Sequence, residues 1–361
     1  MKSEKEGKEF SRPNSRYLCV KNDERTGMEI KEIGKEGLIE RISQLFGDGK
    51  DGGHAPFGGC DRASSLGGEG LTSTVLLMEG VDFDLVYFPL NCLGFKTVTS
   101  AVAGIYGSGG KACQLSLVLG ISQRFQVEDV EFFMRGVSEA CRLYGVDLSF
   151  FDLTSSLTGF AISATAFGVR AYDAGEKANP GELICITGDL GAAYMGLQLM
   201  VREKKAFDAT IDFQPDFGGR EYLLERQLKP VLPVATLDTL RAISLRPTYL
   251  SVLKSGLSDA LVRLSRVSGV GCRIYEKTLP IDFQTIRMSE DFGLDPSLSA
   301  LHGGEDYQFI FTILLTDKER MDALDGVTAI GFTTETSEGL SLVGRSGGTS
   351  PIRPDDYATK D

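Results

Sequence analysis

The sequence predicts an α/β fold organised in two domains. Short apolar runs typical of strands alternate with longer segments whose apolar residues recur every three or four positions, and this occurs in both halves of the chain. A polar stretch from 175 to 181, rich in glycine and containing Pro180, separates the halves. A length of 361 residues allows one large or two medium domains. We expect a flexible tail at 1–28, domains at 29–172 and 181–345, and a second tail at 346–361.

The N-terminal half begins with a predicted helix at 30–46, where the apolar residues follow helical spacing. A glycine-rich break at 47–53 follows it. Two further helices are predicted, at 94–105 and at 127–144. The predicted strands of this half are 72–78, 84–88, 114–120 and 160–169.

The C-terminal half repeats the alternation. A short buried strand at 182–188 ends in a glycine turn, and helical spacing follows at 192–203 and again at 258–267. The remaining predicted strands of this half are 272–275, 307–312 and 327–331.

Composition and charge exclude several classes of function. A net charge of −12 argues against a nucleic-acid surface, because phosphate backbones are bound by basic faces. No apolar run approaches the roughly 20 residues that span a bilayer, and the polar N-terminus has no leader-like apolar segment. We therefore expect a cytoplasmic protein without membrane or nucleic-acid partners, with small cationic or metal-chelated ligands still open.

Cysteine and histidine usage limits the chemistry further. The seven cysteines are scattered, odd in number and without a CxxC pair, which indicates free thiols in a reducing compartment. The only histidines are His54 and His302, which nearly excludes a histidine-based zinc site or a Ser-His-Asp triad.

A loop near the C-terminal end carries the clearest chemical signal. Gly303-Gly304-Glu305-Asp306-Tyr307 leads directly into the strand-like run 308–312. Glycines let the backbone approach a ligand closely, and the adjacent carboxylates can accept hydrogen bonds or balance a cation. The loop is therefore a candidate substrate site, although its carboxylates could instead cap a helix or strand.

Further motifs occur in a fixed order along the chain. They are Glu79-Gly80-Val81-Asp82-Phe83, Tyr144-Gly145-Val146, Thr187-Gly188-Asp189-Leu190-Gly191, Arg226-Gln227-Leu228-Lys229-Pro230 and Ser268-Gly269-Val270-Gly271, followed by the 303–307 loop. From about residue 30 to about 345 this order closely resembles thiamine-monophosphate kinase, of the aminoimidazole-ribonucleotide-synthetase-like superfamily. The resemblance implies a homodimer whose N-terminal domains together close a β-barrel. It also implies a cleft that holds ATP, several Mg²⁺ ions and thiamine monophosphate, and that makes thiamine diphosphate.

This chain departs from the family at the positions that carry metal-binding aspartates. The replacements are Cys60, Val75, Gly104, Val252 and Ser255. By the same resemblance Asp61 and Asp152 remain as candidate metal ligands, although both could be ordinary turn aspartates. Magnesium prefers near-octahedral oxygen ligands, so two carboxylates should not organise a multi-metal site. Binding of ATP and Mg²⁺ is therefore expected to be weak or absent.

Other site residues are also suggested by the resemblance. Arg62 and Lys254 replace residues of the family's active cleft and could serve as phosphate counter-charges, or could be solvated surface charges. Together with Asp152 they are the candidate cofactor-binding residues. Asp82 stands where the family has a histidine, and with Glu305 and Tyr357 it is a candidate substrate contact.

Two adjacent phenylalanines and one glycine turn lead to further predictions. Phe150 and Phe151 replace turn glycines and are expected to fill the cleft, and the turn 188–191 is read as structural.

Two functions remain open from the sequence, and neither assigns a catalytic residue. One is a non-catalytic paralogue that keeps the fold and binds a nucleotide, a thiamine phosphate or a protein. The other is an active thiamine-monophosphate kinase with a rebuilt cleft. The first is favoured, because substitutions concentrate at charged cleft positions while the glycine turns and apolar periodicity persist.

Overall fold

The computed structural model describes residues 70–209 and 217–353, together with residues 32, 38, 41 and 42. The four isolated residues are helical, and Leu38 and Ile42 are buried, as the predicted helix at 30–46 requires of them. The candidate site residues Asp61, Arg62 and Tyr357 lie outside the described residues.

The first sheet has four strands in the order β1-β4-β2-β3. Its strands are β1 (Gly70–Met78), β2 (Gly110–Ile121), β3 (Asp147–Ser155) and β4 (Phe160–Arg170). Strand β4 is antiparallel to both β1 and β2, whereas β3 is parallel to β2. Helix α1 (Leu90–Gly107) packs on β1, β2 and β4, and α2 (Val127–Tyr144) packs on α1.

The four-stranded sheet has one covered face and one open face. Burial alternates along β4, where Ile162, Ala164 and Ala166 are fully buried and the residues between them are not. On β1 the residues alternate between exposed and half-buried, and Leu76 and Met78 are exposed on the open face. A sheet with this period-2 pattern buries apolar residues on one side only.

The second sheet has seven strands in the order β11-β10-β7-β9-β5-β8-β6. Its strands are β5 (Leu183–Thr187), β6 (Tyr249–Val252), β7 (Gly271–Tyr275), β8 (Phe309–Ile313), β9 (Val327–Thr334), β10 (Leu340–Val343) and β11 (Thr349–Pro351). The helices of this half are α3 (Ala192–Ala209), α4 (Glu221–Leu228), α5 (Val234–Ala242), α6 (Leu257–Ser268), α7 (Phe283–Asp291), α8 (Pro296–His302) and α9 (Lys318–Asp322). All pairs are antiparallel except β10 with β7.

The two sheets share one hydrophobic core. Phe309 and Phe311 of β8 belong to the same buried cluster as Val98 and Tyr106 of α1. Helix α1 also contacts β6 and α4, so it lies between the first sheet and the second. This position places α1 against the loop before β8, where Lys96 and Ser100 of α1 contact Glu305 and Tyr307.

The predicted α/β class is confirmed, but two local predictions are wrong. Residues 84–88 form turns rather than a strand, because the Asp84 side chain accepts the Val86 N–H (2.9 Å) and its carbonyl accepts the Phe88 N–H (2.9 Å). Phe150 and Phe151 lie in β3 rather than in a turn. Phe151 is buried in the core while Phe150 points the opposite way, so the pair does not fill the cleft together.

Among the described residues, no helix is both long and apolar enough to cross a bilayer.

Candidate functional site

The loop between α8 and β8 has an unusual backbone. Gly304, Glu305 and Tyr307 have φ angles of 74°, 60° and 52°. A left-handed conformation suits glycine but costs about 1–3 kcal/mol for other residues, and such strain concentrates at functional sites. The Glu305 N–H donates to the Lys254 carbonyl (2.8 Å) and the Tyr307 N–H to the Leu253 carbonyl (3.0 Å), which fixes the loop against the end of β6.

The Glu305 carboxylate is held by two side chains from different elements. Its Oε2 accepts from Lys96 Nζ of α1 (2.9 Å) and from Gln227 Nε2 of α4 (3.0 Å). Lys96 is almost fully buried, and its ammonium also lies 5.2 Å from the centre of the Phe88 ring. The Glu305 side chain keeps 36% of its surface exposed. One carboxylate oxygen is therefore fixed, while part of the side chain remains exposed to solvent.

The neighbouring Asp306 has a structural role. Its buried carboxylate accepts the N–H groups of Gly191 (2.8 Å) and Ala193 (3.2 Å) at the start of α3. Burial raises the pKa of Asp306 to about 6, although Arg226 and the two N–H groups oppose the shift. The Asp306 carboxylate therefore caps α3, which is the alternative role considered above for the acids of this loop. The Glu305 carboxylate is the partly exposed one.

A second network joins α4 to the turn before α3. The Arg226 guanidinium donates to the Asp189 carbonyl (2.9 Å) and lies 3.8 Å from the Asp306 carboxylate. The Tyr222 hydroxyl donates to the Asp189 carboxylate. The turn 188–191 is therefore committed to internal contacts, in agreement with its structural interpretation.

Tyr307 connects the loop to α1. Its hydroxyl lies 2.5 Å from Ser100 Oγ, and the whole side chain is buried. Burial, and then the charge of Glu305, raise the pKa of Tyr307. The phenol is therefore neutral, and its hydrogen bond joins the 303–307 loop to α1.

Sequence reasoning missed Lys96, Ser100, Arg226 and Gln227 as parts of this site. Lys96 did carry a signal, because it is a lone lysine among the apolar residues of a predicted helix, and a buried lysine needs a partner. Arg226 and Gln227 stood in the motif 226–230, but that motif does not show what they contact. Ser100 has no local pattern, since its partner Tyr307 is distant in sequence.

Lys254 lies beside the same loop, directly after β6. It is half-buried, and no hydrogen bond or ion pair joins its ammonium to another of the described residues. Burial, and then the like charge of Arg263, lower the pKa of Lys254. A half-buried ammonium without a counter-charge is suited to bind an anion.

The other described candidates lie in different places. Asp82 is exposed in the turn after β1, where its carboxylate accepts the Met78 N–H (2.7 Å), and it is near enough to Tyr307 to act on its charge. Asp152 lies in β3 opposite Val118, on the open face of the first sheet. The structure thus joins Lys254 and Glu305 through their backbones, leaves Asp82 in the turn after β1 and places Asp152 on the open face of the first sheet.

The positions that carry metal-binding aspartates in the family do not fit Mg²⁺ here. Val75 and Val252 offer no oxygen, and both pack against the core. A Cβ at Gly104 would lie 2.3 Å from Ser73 Oγ and 2.9 Å from Ser73 Cβ, so α1 and β1 occupy the space of a side chain. Magnesium requires oxygen ligands, and of these positions only Ser255 supplies one. Across residues 70–209 and 217–353, no three His, Cys, Asp or Glu side chains form a metal-binding group.

Known proteins resemble this chain in sequence and in fold. The model for the N-terminal domain of AIR synthase related proteins matches residues 61–170. The thiamine-monophosphate kinase of Aquifex aeolicus (strain VF5) is 28% identical over 324 residues, which are 88% of this chain and 97% of the relative. The structure described as AaThiL complexed with AMPPCP and TMP is 27% identical, with a TM-score of 0.65, and the match covers 91% of this chain and 98% of that one.

In sequence and in fold this chain is similar to thiamine-monophosphate kinases. The hydrogenase maturation protein HypE of E. coli shares the fold, with a TM-score of 0.64, 18% identity and coverage of 88% of this chain and 98% of that one. This chain carries the 303–307 loop, and Val75, Gly104, Val252 and Ser255 stand where the resemblance predicts aspartates.

Proposed function

We propose that this member of the thiamine-monophosphate kinase family binds a phosphorylated ligand in the cleft beside the 303–307 loop and has lost phosphoryl transfer or strongly reduced it. The reaction of the family joins ATP and thiamine monophosphate to give ADP and thiamine diphosphate. Its catalysis depends on positioning and on neutralising phosphate charge with metal ions. The packing at Gly104 and the apolar side chains at positions 75 and 252 support the loss of that metal chemistry.

Lys254 carries the ligand-binding part of the proposal. Its ammonium is half-buried, has no ion pair with the described residues, and lies on the chain segment that is hydrogen-bonded to Glu305. A phosphate oxygen near Lys254 would receive a charge-assisted hydrogen bond. One positive side chain would then supply part of the neutralisation that the family obtains from metal ions, without their transition-state effect.

Glu305 would contact the positively charged part of the ligand. Lys96 and Gln227 fix one carboxylate oxygen, the side chain stays partly exposed, and the Glu305 N–H donates to the Lys254 carbonyl (2.8 Å). The negative charge of the Glu305 carboxylate would stabilise a thiazolium cation. A ligand such as thiamine monophosphate carries both a phosphate for Lys254 and a cationic ring for Glu305.

An active kinase with a rebuilt cleft is the second candidate function. Its support is the strained 303–307 loop, since left-handed backbone at Glu305 and Tyr307 is retained with a full set of contacts. Under this alternative Asp61, outside the described residues, and Asp152 would hold the metal, and binding of ATP would require Mg²⁺.

Calorimetric titration with ATP and with thiamine monophosphate, each with and without Mg²⁺, separates the two functions. We expect binding that persists in EDTA and weakens with salt, because exposed charge pairs are screened within about 10 Å at 0.1 M ionic strength. Lys254→Ser should cost roughly 1–3 kcal/mol of phosphate affinity.

Lys277→Ser, which removes an exposed lysine after β7, is the matched control and should change nothing. Strict dependence on Mg²⁺ together with indifference to Lys254→Ser would support the rebuilt kinase instead.

A further inference from the structure

A cavity of about 220 Å³ lies at the connection between the two sheets, away from the 303–307 loop. One wall is the linker that leaves β4, at residues 172–174, and the other is α5 with the loop that follows it. The linker is fastened there, because the Gly175 N–H donates to the Pro247 carbonyl (2.8 Å). Small-molecule sites occur preferentially at such junctions between structural units.

The floor of this cavity is apolar. Leu237, Leu240, Leu245 and Leu250 line it, and each has less than a tenth of its surface exposed. An apolar cavity of about 150 Å³ is sufficient for benzene, so this cavity has room for a larger ring or a short alkyl chain. Burial of such a group against four leucines would be driven by the hydrophobic effect.

The rim of the cavity carries an excess of positive charge. Arg241 and Arg246 line it together with one carboxylate, Asp173, which pairs with Arg246 at 2.9 Å. No hydrogen bond or ion pair joins the Arg241 guanidinium to another of the described residues. The nearby Asp238 accepts the Tyr172 hydroxyl (3.0 Å). In a chain of net charge −12, an arginine without a partner above an apolar floor is a local preference for anions.

The end of α5 forms part of the rim. Ser244, which lines the cavity, has a φ of 53°. Its N–H donates to the Arg241 carbonyl (3.0 Å) and the Leu245 N–H donates to the Leu240 carbonyl (2.9 Å), which is the left-handed Schellman arrangement that ends many helices. This turn places the unpartnered arginine and the apolar floor at the same end of α5.

We propose that this cavity is a second ligand site for a small amphipathic anion, with a ring or short alkyl chain on the leucine floor and a carboxylate, sulfonate or phosphate at Arg241. The site is separate from Lys254 and Glu305, so it does not depend on the proposed function of the cleft. Because the linker forms one wall, an occupant contacts both halves of the chain at their connection.

The anionic dye 1-anilinonaphthalene-8-sulfonate is a direct probe, with neutral N-phenyl-1-naphthylamine as its uncharged analogue. Fluorescence titration of the full chain should show one saturable site for each dye. Arg241→Glu should weaken the sulfonate roughly tenfold, as expected for loss of a hydrogen bond to a charged group, and should leave the neutral dye unchanged within about twofold.

Arg287→Glu is the matched control, because Arg287 is an exposed arginine on α7 outside the cavity. It should leave both affinities unchanged, and so should Lys254→Ser. Equal affinity of the sulfonate for Arg241→Glu and for the unmodified chain would overturn the proposal. So would an equal loss of both dyes in Arg241→Glu, since that would indicate a collapsed cavity rather than a charge contact.

Discussion

At the scale of single residues, the two carboxylates of the 303–307 loop have divided roles. Asp306 is buried and caps α3, whereas Glu305 is fixed by Lys96 and Gln227 and remains partly exposed. Two adjacent acids therefore differ because one faces backbone N–H groups and the other faces side chains of the cleft. Asp306 therefore acts on the stability of the fold, and Glu305 is the candidate for ligand binding.

The pH dependence of stability tests the role of Asp306. Its pKa is about 6 in the folded chain against 3.8 for the free side chain, so the folded state holds a proton that the unfolded state has released between these values. Stability from this group is present below about pH 3.8 and is lost as the pH rises through about 6. Relative to Asp306→Asn, the unmodified chain should lose roughly 2–3 kcal/mol of unfolding free energy between pH 4 and pH 7.

Urea unfolding of both proteins at several pH values measures this difference. An unmodified chain that gains stability relative to Asp306→Asn as the pH rises would contradict the account. It would show that Arg226 and the N–H groups of α3 outweigh burial and favour the charged carboxylate.

The sequence identified the loop but not its supports. Two glycines and two adjacent acids within five residues are a local pattern, and Lys254 was visible as a replacement of a family residue. The partners of Glu305 lie 209 and 78 residues away, so their contact depends on how α1 and α4 pack. The wrong placement of Phe150 and Phe151 has a similar cause, because a motif of turn glycines was assumed to keep its conformation after replacement by aromatic residues.

At the scale of elements, the contact between α1 and β1 leaves no room for a side chain at position 104. The helix lies so close to Ser73 that even a methyl group at Gly104 would contact its side chain. The loss of the carboxylate and the close packing are therefore one structural change. Sequence alone showed the missing ligand but not the contact that replaced it, because Ser73 and Gly104 meet only in the folded chain.

Gly104→Ala tests this packing, because the two relevant effects have opposite signs. In an unobstructed helix, alanine stabilises relative to glycine by roughly 0.5–1 kcal/mol. Here we expect a loss of about 1–2 kcal/mol from overpacking against Ser73, measured by denaturant unfolding. The double variant Ser73→Gly with Gly104→Ala should recover the loss, and a single variant more stable than the parent would disprove the contact.

At the scale of the whole molecule, the open face of the first sheet exposes apolar side chains. Leu76 is 61% exposed there and Met78 42% exposed. The family resemblance implies a barrel closed across a dimer, and a sheet with one uncovered face containing apolar residues is consistent with that arrangement. We expect a homodimer in solution, formed through this face.

Leu76→Glu should give a monomer, because it places a charge in the proposed interface. Leu315→Glu is the matched control, since Leu315 is also 61% exposed but follows β8 in the second sheet. Light scattering coupled to size-exclusion chromatography reads the mass directly. A monomeric unmodified chain, or a Leu76→Glu variant that is still dimeric, would count against this interface.

The central claim is that the fold of a thiamine-monophosphate kinase persists here without its phosphoryl-transfer chemistry. The most direct test measures transfer of the γ-phosphate of ATP to thiamine monophosphate, with saturating Mg²⁺ and protein purified from a host that lacks its own kinase. We predict no transfer above that of a parallel preparation of Lys254→Ser, because the positions at 75, 104 and 252 cannot hold a metal ion. A turnover of about 1 s⁻¹ or more, which is ordinary for kinases, would contradict the account and establish an active enzyme with a rebuilt cleft.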